Sequence, residues 1–115
     1  MSRRLRLYLS DMLKAIGRIE SYTSELTEQA FLDSELVLDA CTRNFLVIGE
    51  AVKQLPEELR VQRPEVPWKS IAGLRDMLAH AYFNVDDGIL WDIIQNDLEP
   101  LRKAVLFLLE SLPEE

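Results

Sequence analysis

The sequence predicts an all-α protein, an antiparallel bundle of four or five helices forming a single domain over residues 1–115. Two observations lead to this prediction. Apolar residues recur at spacings of three and four along most of the chain, the period of a helix that buries one face. No useful length of sequence alternates apolar and polar residues, as a half-buried strand would. Because the connections are short, neighbouring helices are expected to run antiparallel.

The first half of the chain predicts two long helices with a short one between them. The first helix has one apolar stripe, formed by Leu5, Tyr8, Leu9, Met12, Ile16, Ile19 and Tyr22. The segment TEQAFLDS follows, with Thr27 as a candidate cap, and Ser34 is suited to begin the second long helix because its hydroxyl can accept a bond from a free backbone N–H. The stripe of the second helix is Val37, Cys41, Phe45, Ile48, Val52 and Leu55. Further apolar residues beside that stripe predict burial on more than one side, and Pro56 is expected to end the helix.

Prolines and polar turns divide the second half of the chain. PEELR is expected to form one short turn, and RPEVP a connector, because each proline removes a backbone donor and restricts the residue before it. A third long helix is predicted from Pro67 or Trp68 to about Phe83, with Ile71, Leu74, Leu78, Ala81 and Tyr82 on its core side.

The pattern is interrupted at Asn84–Gly88, and either Asp86 or Asp87 can cap the next helix. That helix carries Ile89, Leu90, Ile93, Ile94 and Leu98. Pro100 is expected either to kink it or to separate it from LRKAVLFLLESL.

Composition limits the function classes. The net charge is −7, from 20 acidic and 13 basic residues. An acidic chain is a poor general binder of nucleic acid, since phosphate contacts need Lys and Arg, so any such role must come from a local patch. No glycine-rich phosphate loop is present, which argues against an ATPase or a kinase. No His-rich or Cys-rich ligand set is present either, so neither a metal site nor a cofactor is expected.

The chain is expected to be cytoplasmic and without a membrane segment. Its apolar runs, such as AVLFLL, are too short to cross a bilayer. The N-terminal MSRRLRLYLSDML is interrupted by Asp11 and Lys14 and is not followed by a small-residue cleavage site, unlike a signal peptide. The single cysteine, Cys41, excludes an internal disulfide and agrees with a reducing compartment.

The segment RDMLAHAYF contains the candidate functional residues. It joins Arg75 to the only histidine of the chain, His80, and to Tyr82. On a helix, Asp76 and His80 are four residues apart and therefore neighbours. Arg75 lies at the edge of the core side, one row from Tyr82 and about 140° around the axis from His80. Arg75 and His80 can therefore line a groove that wraps the helix, or one formed with a second copy.

These residue types suit proton transfer beside a phosphate group. Histidine titrates near neutrality and can serve as base or acid, and arginine offers a planar, permanently charged fork to phosphate. Asp76 can orient the imidazole or favour its protonated form. A pair of histidines would require two chains, which favours a symmetric dimer. The same residues are also compatible with an ordinary polar pair on a helix surface, with Tyr82 packed at the edge of the core.

LRDMLAHAYF resembles the Arg-x4-His-x-Tyr signature of the HEPN superfamily, and specifically of its HepT-like toxin branch. RNFLVIGEAVKQLP, VPWKSIAGLRDMLAHAYFNVD and LWDIIQNDLEPLRKAV resemble that branch in order and spacing. Together these segments cover roughly the C-terminal two-thirds of the chain. The first helix fits more loosely.

The resemblance implies a HEPN-like helical bundle that forms a symmetric homodimer, with two Arg-x4-His motifs facing one cleft. That cleft would be a metal-independent endoribonuclease site with Arg75 and His80 catalytic and Asp76 supporting. The chain would be the toxin of a type VII-like toxin–antitoxin system. Its partner would be a minimal nucleotidyltransferase antitoxin, which would use ATP and magnesium to transfer AMP to Tyr82.

Two other interpretations remain open. One is a non-catalytic module that binds nucleotide or presents a substrate to a nucleotidyltransferase. The other is a purely structural helical dimer in which the motif is a satisfied polar cluster.

Overall fold

Seven helices make up the described part of the chain in the computed structural model. The structure describes the backbone of residues 2–80 and 86–113 and, within these ranges, the side chains of all but Ser2 and His80. The helices are α1 Ser2–Thr23, α2 Glu28–Asp33, α3 Glu35–Gln54, α4 Glu57–Arg60, α5 Trp68–His80, α6 Asp87–Asn96 and α7 Leu98–Ser111. These ranges contain no strand, so the all-α prediction is confirmed. Five of the helices are long, and α2 and α4 are short connecting helices.

The predicted caps form at the predicted places. The Thr27 hydroxyl accepts a hydrogen bond from the backbone N of Ala30 at 3.1 Å and begins α2. The Ser34 hydroxyl accepts one from the backbone N of Val37 at 3.2 Å and begins α3. Asp86 caps α6 through a carboxylate oxygen 2.9 Å from the backbone N of Gly88. Each cap satisfies a donor that a helix start leaves free, which is why the local sequence suffices to predict it.

Prolines set the boundaries between α3 and α5. Helix α3 ends before Pro56, which then begins α4, the short turn predicted at PEELR. The connector RPEVP leads to α5, which begins at Trp68. The indole Nε1 of Trp68 donates to the carbonyl oxygens of Arg60 and Arg63 at 3.1 and 2.9 Å, so this side chain ties the connector to the helix. The predicted end of this helix near Phe83 lies outside the described residues.

The boundary between α6 and α7 differs from the prediction at Pro100. The first of these helices ends at Asn96, and Asp97 separates it from α7. Pro100 is the third residue of α7. The first four backbone N–H groups of a helix have no partner within it, so the missing donor of Pro100 costs nothing there. Pro100 therefore neither kinks a helix nor separates two, because a proline is tolerated in the first turn.

The buried core centres on α3. This helix packs against α1 on one side and α5 on the other, while α7 packs against α1 and α6. Its predicted stripe is buried from Cys41 to Leu55, and Gly49 and Ala51 are buried as well. Burial on more than one side is thus confirmed. It also raises the pKa of the Cys41 thiol to about 11, so this thiol stays protonated at neutral pH.

The stripe of α1 departs from the prediction at its last turn. Leu9, Met12, Ile16 and Ile19 are fully buried, but Tyr22 is 41% exposed. Thr23 is buried in its place, and its hydroxyl donates to the carbonyl of Ile19 at 2.8 Å. The buried stripe therefore continues from Ile19 to Thr23, a step of four residues rather than three. A threonine can be buried there because its hydroxyl is hydrogen-bonded within its own helix.

None of the helices in residues 2–80 and 86–113 combines the length and the apolar character needed to cross a membrane.

Replacing Phe45 by alanine is expected to lower the free energy of unfolding by about 3–5 kcal/mol, because the ring is 1% exposed and its removal leaves a cavity in the core. Leu36→Ala is the matched control on the same helix, since Leu36 is 79% exposed, and it should change that free energy by no more than about 0.5 kcal/mol. Urea unfolding followed by circular dichroism measures both. Equal losses in the two variants would contradict the packing described for α3.

Candidate active site

The guanidinium of Arg75 is held between two carboxylates at the surface. Its Nε lies 3.2 Å from an oxygen of Glu50 on α3, and its Nη1 lies 3.2 Å from Asp76 Oδ1. The Arg75 side chain is 36% exposed. As predicted, Arg75 lies at the edge of the core side, with its stem against α3 and its charged group in reach of solvent.

Asp76 also binds Lys53, the fourth charged side chain of this cluster. Lys53 Nζ donates to Asp76 Oδ1 at 2.7 Å. That hydrogen bond lowers the pKa of Asp76 below its ordinary value, slight desolvation opposes the change, and Arg75 adds to it. Because the folded-state pKa is lowered, the network is intact at neutral pH and is lost only as the pH falls through that pKa. Pairs this exposed contribute little to stability, so their effect is to orient Arg75.

A glycine allows the two helices to meet at this point. A Cβ built on Gly49 would lie 2.6 Å from the Cβ of Arg75, 3.1 Å from its backbone N and 3.2 Å from the carbonyl oxygen of Ile71. These atoms belong to the backbone and the first side-chain carbon, which cannot swing aside. Gly49 therefore sets the approach of α3 to α5, and the adjacent Glu50 is brought onto the guanidinium.

A cleft of about 530 Å³ opens beside Arg75. Three helices line it, with Tyr8 and Asp11 from α1, Arg43, Leu46, Val47, Glu50 and Ala51 from α3, and Arg75 and Ala79 from α5. Ala79 directly precedes His80 in the chain, and Arg75 and Ala79 are the residues of the predicted motif that line this cleft. Within residues 2–80 and 86–113, no group of three His, Cys, Asp or Glu side chains is arranged to hold a metal ion.

The structure brings together only part of the predicted constellation. Arg75 and Asp76 are in contact, and Lys53 is the other described partner of Asp76. The backbone of His80 is the last described position of α5, and its side chain lies outside the described part of the chain. Tyr82 lies outside the described residues altogether. The pairing of Asp76 with His80, and the place of Tyr82 beside Arg75, remain predictions.

A family model matches most of the chain. The model of the family described as "Ribonuclease HepT-like" matches residues 12–107, which is most of the chain. The chain belongs to the HepT-like ribonuclease family, within the HEPN superfamily. The match extends from the second half of α1 into α7, so it includes the cleft-lining residues of α3 and α5, whereas Tyr8 and Asp11 of α1 precede it.

Individual HepT-like relatives support the assignment. "Probable ribonuclease HepT" of Thermococcus cleftensis is 38% identical over 102 residues, which are 89% of this chain and 93% of the relative. "Putative RNase" of Methanocaldococcus jannaschii is 42% identical over 105 residues, which are 88% of this chain and 87% of the relative. "Gamma-glutamylcyclotransferase and putative RNase" of the same organism is 38% identical over 112 residues, 97% of this chain. The chain spans only half the length of that third protein. No solved structure is significantly similar to this HepT-like chain.

Sequence reasoning missed the residues that the structure places around Arg75 and Asp76. Glu50 and Lys53 orient Arg75 and Asp76, and Tyr8 and Arg43 line the cleft. One signal was present. Gly49 lies in the middle of a well-patterned helix, where glycine costs stability and so indicates a close approach by another element.

Gly49→Ala is expected to lower the free energy of unfolding by about 1–3 kcal/mol, because the added methyl overlaps the Cβ and the backbone of Arg75. It should also reduce any activity that depends on Arg75. Gly73→Ala is the matched control on α5. A Cβ there meets nothing within 4 Å, so the change should stabilise the helix by about 0.5–1 kcal/mol. Thermal and urea unfolding measure both, and a stabilised Gly49→Ala variant would contradict the close approach.

Proposed function

We propose that this chain is a metal-independent endoribonuclease that acts as a homodimer, with Arg75 and His80 at the cleft. The observation that supports it most directly is the fixed, partly exposed guanidinium of Arg75 on the wall of a cleft that Ala79, the residue before His80, also lines. The names of the HepT-like relatives indicate the same class of reaction. The proposed substrate is RNA in the cytoplasm.

The proposed reaction is attack by the ribose 2′-hydroxyl on the adjacent phosphorus. A bond forms between the 2′-oxygen and phosphorus, and the bond from phosphorus to the 5′-oxygen breaks. A base takes the proton of the 2′-hydroxyl, and an acid gives one to the leaving 5′-oxygen. The products are a 2′,3′-cyclic phosphate and a 5′-hydroxyl, and no water or metal ion is needed for this step.

His80 is the proposed proton-transfer group. It is the only histidine of the chain, and imidazole is the side chain whose unperturbed titration lies near neutral pH. One histidine can serve as base or acid but not as both in the same step. The second group would then be the His80 of a second copy, which is the argument for a homodimer with a shared cleft.

Arg75 is the proposed phosphate ligand. Glu50 occupies its Nε and Asp76 its Nη1, so among the described residues the Nη2 is left without a partner. The two carboxylates therefore turn one N–H edge toward an incoming phosphate. A donor fixed in this way stabilises the negative charge that gathers on phosphorus oxygens in the transition state.

The proposed biological role is that of a toxin controlled by modification. The antitoxin would be a minimal nucleotidyltransferase that transfers AMP from ATP to Tyr82, with its own magnesium. Tyr82 follows Arg75 by seven residues, which on a continuous helix is two turns along nearly the same row. A phosphodiester on its hydroxyl would occupy Arg75 and block the cleft.

One observation favours a second candidate, a non-catalytic module that binds nucleotide or presents a substrate to a nucleotidyltransferase. Arg75 and Lys53 are matched by Glu50 and Asp76, so the cluster carries no net charge. Such a balanced cluster suits recognition as well as catalysis. Turnover of RNA by the purified chain separates the two.

His80→Ala is expected to reduce RNA cleavage and cellular toxicity by at least about 100-fold, because it removes the proton-transfer group. Arg75→Lys keeps the charge but loses the planar fork, so its rate should lie between those of wild type and His80→Ala. The measurement is cleavage of total RNA by the purified chain in EDTA, with analysis of the new ends.

Arg18→Ala is the control for this experiment, since Arg18 is exposed on α1 and outside the cleft. Wild-type cleavage should survive EDTA and leave 2′,3′-cyclic phosphates. Ends with a 5′-phosphate and a 3′-hydroxyl would instead indicate attack by water. Light scattering tests the assembly, and an active monomer at micromolar concentration would contradict the shared cleft.

Tyr82→Phe is expected to keep its toxicity and to escape neutralisation by the antitoxin with ATP, because only the phenol oxygen can accept AMP. Intact mass after incubation with antitoxin, ATP and magnesium is the decisive measurement. Wild type should gain mass in AMP units and Tyr82→Phe should not. Tyr8→Phe removes a phenol from the cleft itself and serves as the control. Equal gains in wild type and Tyr82→Phe would place the acceptor elsewhere.

A further inference from the structure

The cleft is larger than the proposed chemistry requires. Of its lining residues only Arg75 and its partner Glu50 have a part in the reaction described above. The remainder is an apolar floor of Leu46, Val47, Ala51 and Ala79, with one aromatic ring and two further charged side chains around it.

The two further charges are unpaired among the described residues. Arg43 and Asp11 are both exposed, and neither forms an ion pair within residues 2–80 and 86–113. Glu50, the other carboxylate of the cleft, is already bound to Arg75. Asp11 is therefore the carboxylate that remains available to a ligand.

Helix geometry separates Arg43 from Glu50, the residue that holds Arg75, by a defined distance. Arg43 and Glu50 are seven residues apart on α3, which is two turns and about 10.5 Å along one row. Glu50 holds Arg75, so Arg43 lines the same cleft two turns of α3 away from the residue that holds the proposed phosphate ligand. A single strand that places one phosphate at Arg75 can place another at Arg43, with a base between them.

Tyr8 and Asp11 face that intermediate space from α1. They are three residues apart and so share a face of the helix. Tyr8 is partly buried and packs against the core, and it also lines the cleft. An aromatic face beside a free carboxylate and an arginine is the combination that recognises an unpaired base: stacking holds the ring, the carboxylate accepts its N–H groups, and the cation binds the phosphate.

We propose that this cleft binds one unpaired nucleotide of single-stranded RNA next to the cleavage position, through stacking on Tyr8, hydrogen bonds to Asp11 and a phosphate contact with Arg43. The inference rests on the proposed ribonuclease function and adds the substrate class and a base preference. Duplex RNA is excluded from the cleft, because its bases are stacked on one another and cannot reach Tyr8.

The carboxylate of Asp11 predicts which base is preferred. Guanine offers two adjacent N–H donors on its pairing edge, which match two carboxylate oxygens. Uracil offers one N–H between two carbonyl oxygens, and these oxygens repel a carboxylate. The cleft is therefore selective for guanine over uracil, with adenine and cytosine between them because each has an amino group.

An unpaired nucleotide fits the cleft better than a helix of a second copy. A protein face that covered Asp11 and Arg43 would bury two charges and would have to pair both. A nucleotide brings its own donors to Asp11 and its own phosphate to Arg43. The apolar floor can pack against the sugar and the base of that nucleotide.

The test is steady-state cleavage of single-stranded oligonucleotides that carry either guanine or uracil beside one cleavable bond, with the full-length chain. Tyr8→Leu should raise KM about tenfold, with the loss in KM rather than in kcat, and Tyr8→Phe should rescue most of it because it keeps the aromatic face. Asp11→Asn should remove most of the preference for guanine over uracil, which in wild type should be at least about fivefold.

Arg43→Ala should raise KM and reduce the slope of log affinity against log salt by about 0.7, the loss of one phosphate contact. Arg18→Ala removes the same charge outside the cleft and should do neither. If the wild type cleaves RNA, and Tyr8→Leu, Asp11→Asn and Arg43→Ala all keep its KM and its base preference, the inference is overturned. The proposed ribonuclease function would then still stand.

Two further outcomes distinguish the inference from the function on which it rests. If the wild type cleaves no RNA, the proposed function fails, and fluorescence anisotropy with the same labelled oligonucleotides still tests the cleft through the same variants. If Tyr8→Leu or Arg43→Ala dissociates the dimer in light scattering, a second copy covers the cleft and the inference is overturned.

Discussion

The close approach of α3 to α5 at Gly49 is the constraint on which the site depends. A single added carbon at that position would lie 2.6 Å from the Cβ of Arg75. Because the helices meet there without a side chain between them, Glu50 reaches the guanidinium and Lys53, one turn further, reaches Asp76. The same approach determines how far the cleft opens, since both helices line it. A change of spacing would thus move the arginine, its two carboxylates and the cleft wall together.

Stability and chemistry come from different sides of α3. Cys41, Phe45 and Ile48 face the core and are almost completely buried, whereas Arg43 and Glu50 face the cleft and are exposed. The buried side contributes most of the free energy of folding, because the burial of apolar side chains stabilises a fold far more than exposed ion pairs do. The charged side can therefore be arranged for orientation, at small cost to the fold. Helix α3 thus connects the buried core on one side to the charged residues of the cleft on the other.

The sequence predicted the features that depend on local rules and missed those that depend on the approach of distant segments. Apolar periodicity and the caps at Thr27, Ser34 and Asp86 are local, and the structure confirms them. Arg75 and Asp76 are adjacent in the chain, so the sequence alone also shows that they lie close together. Glu50 and Lys53 are different, because a charge on a solvated helix face looks the same whether or not another helix brings a partner to it. The resemblance located the motif, but only packing shows what holds it.

The acidic charge of the chain has to be reconciled with the proposed binding of RNA. With a net charge of −7 the surface repels a polyanion, so non-specific binding, which depends on summed positive charge, should be weak. Arg75 is partly neutralised by Glu50 and Asp76, which leaves Arg43 as the one unpaired cation among the described residues of the cleft. Affinity in the proposed complex must then come from a stacked base and a few fixed hydrogen bonds rather than from a basic surface. Such binding selects RNA with an unpaired base, because any other strand makes no contacts that offset the charge repulsion.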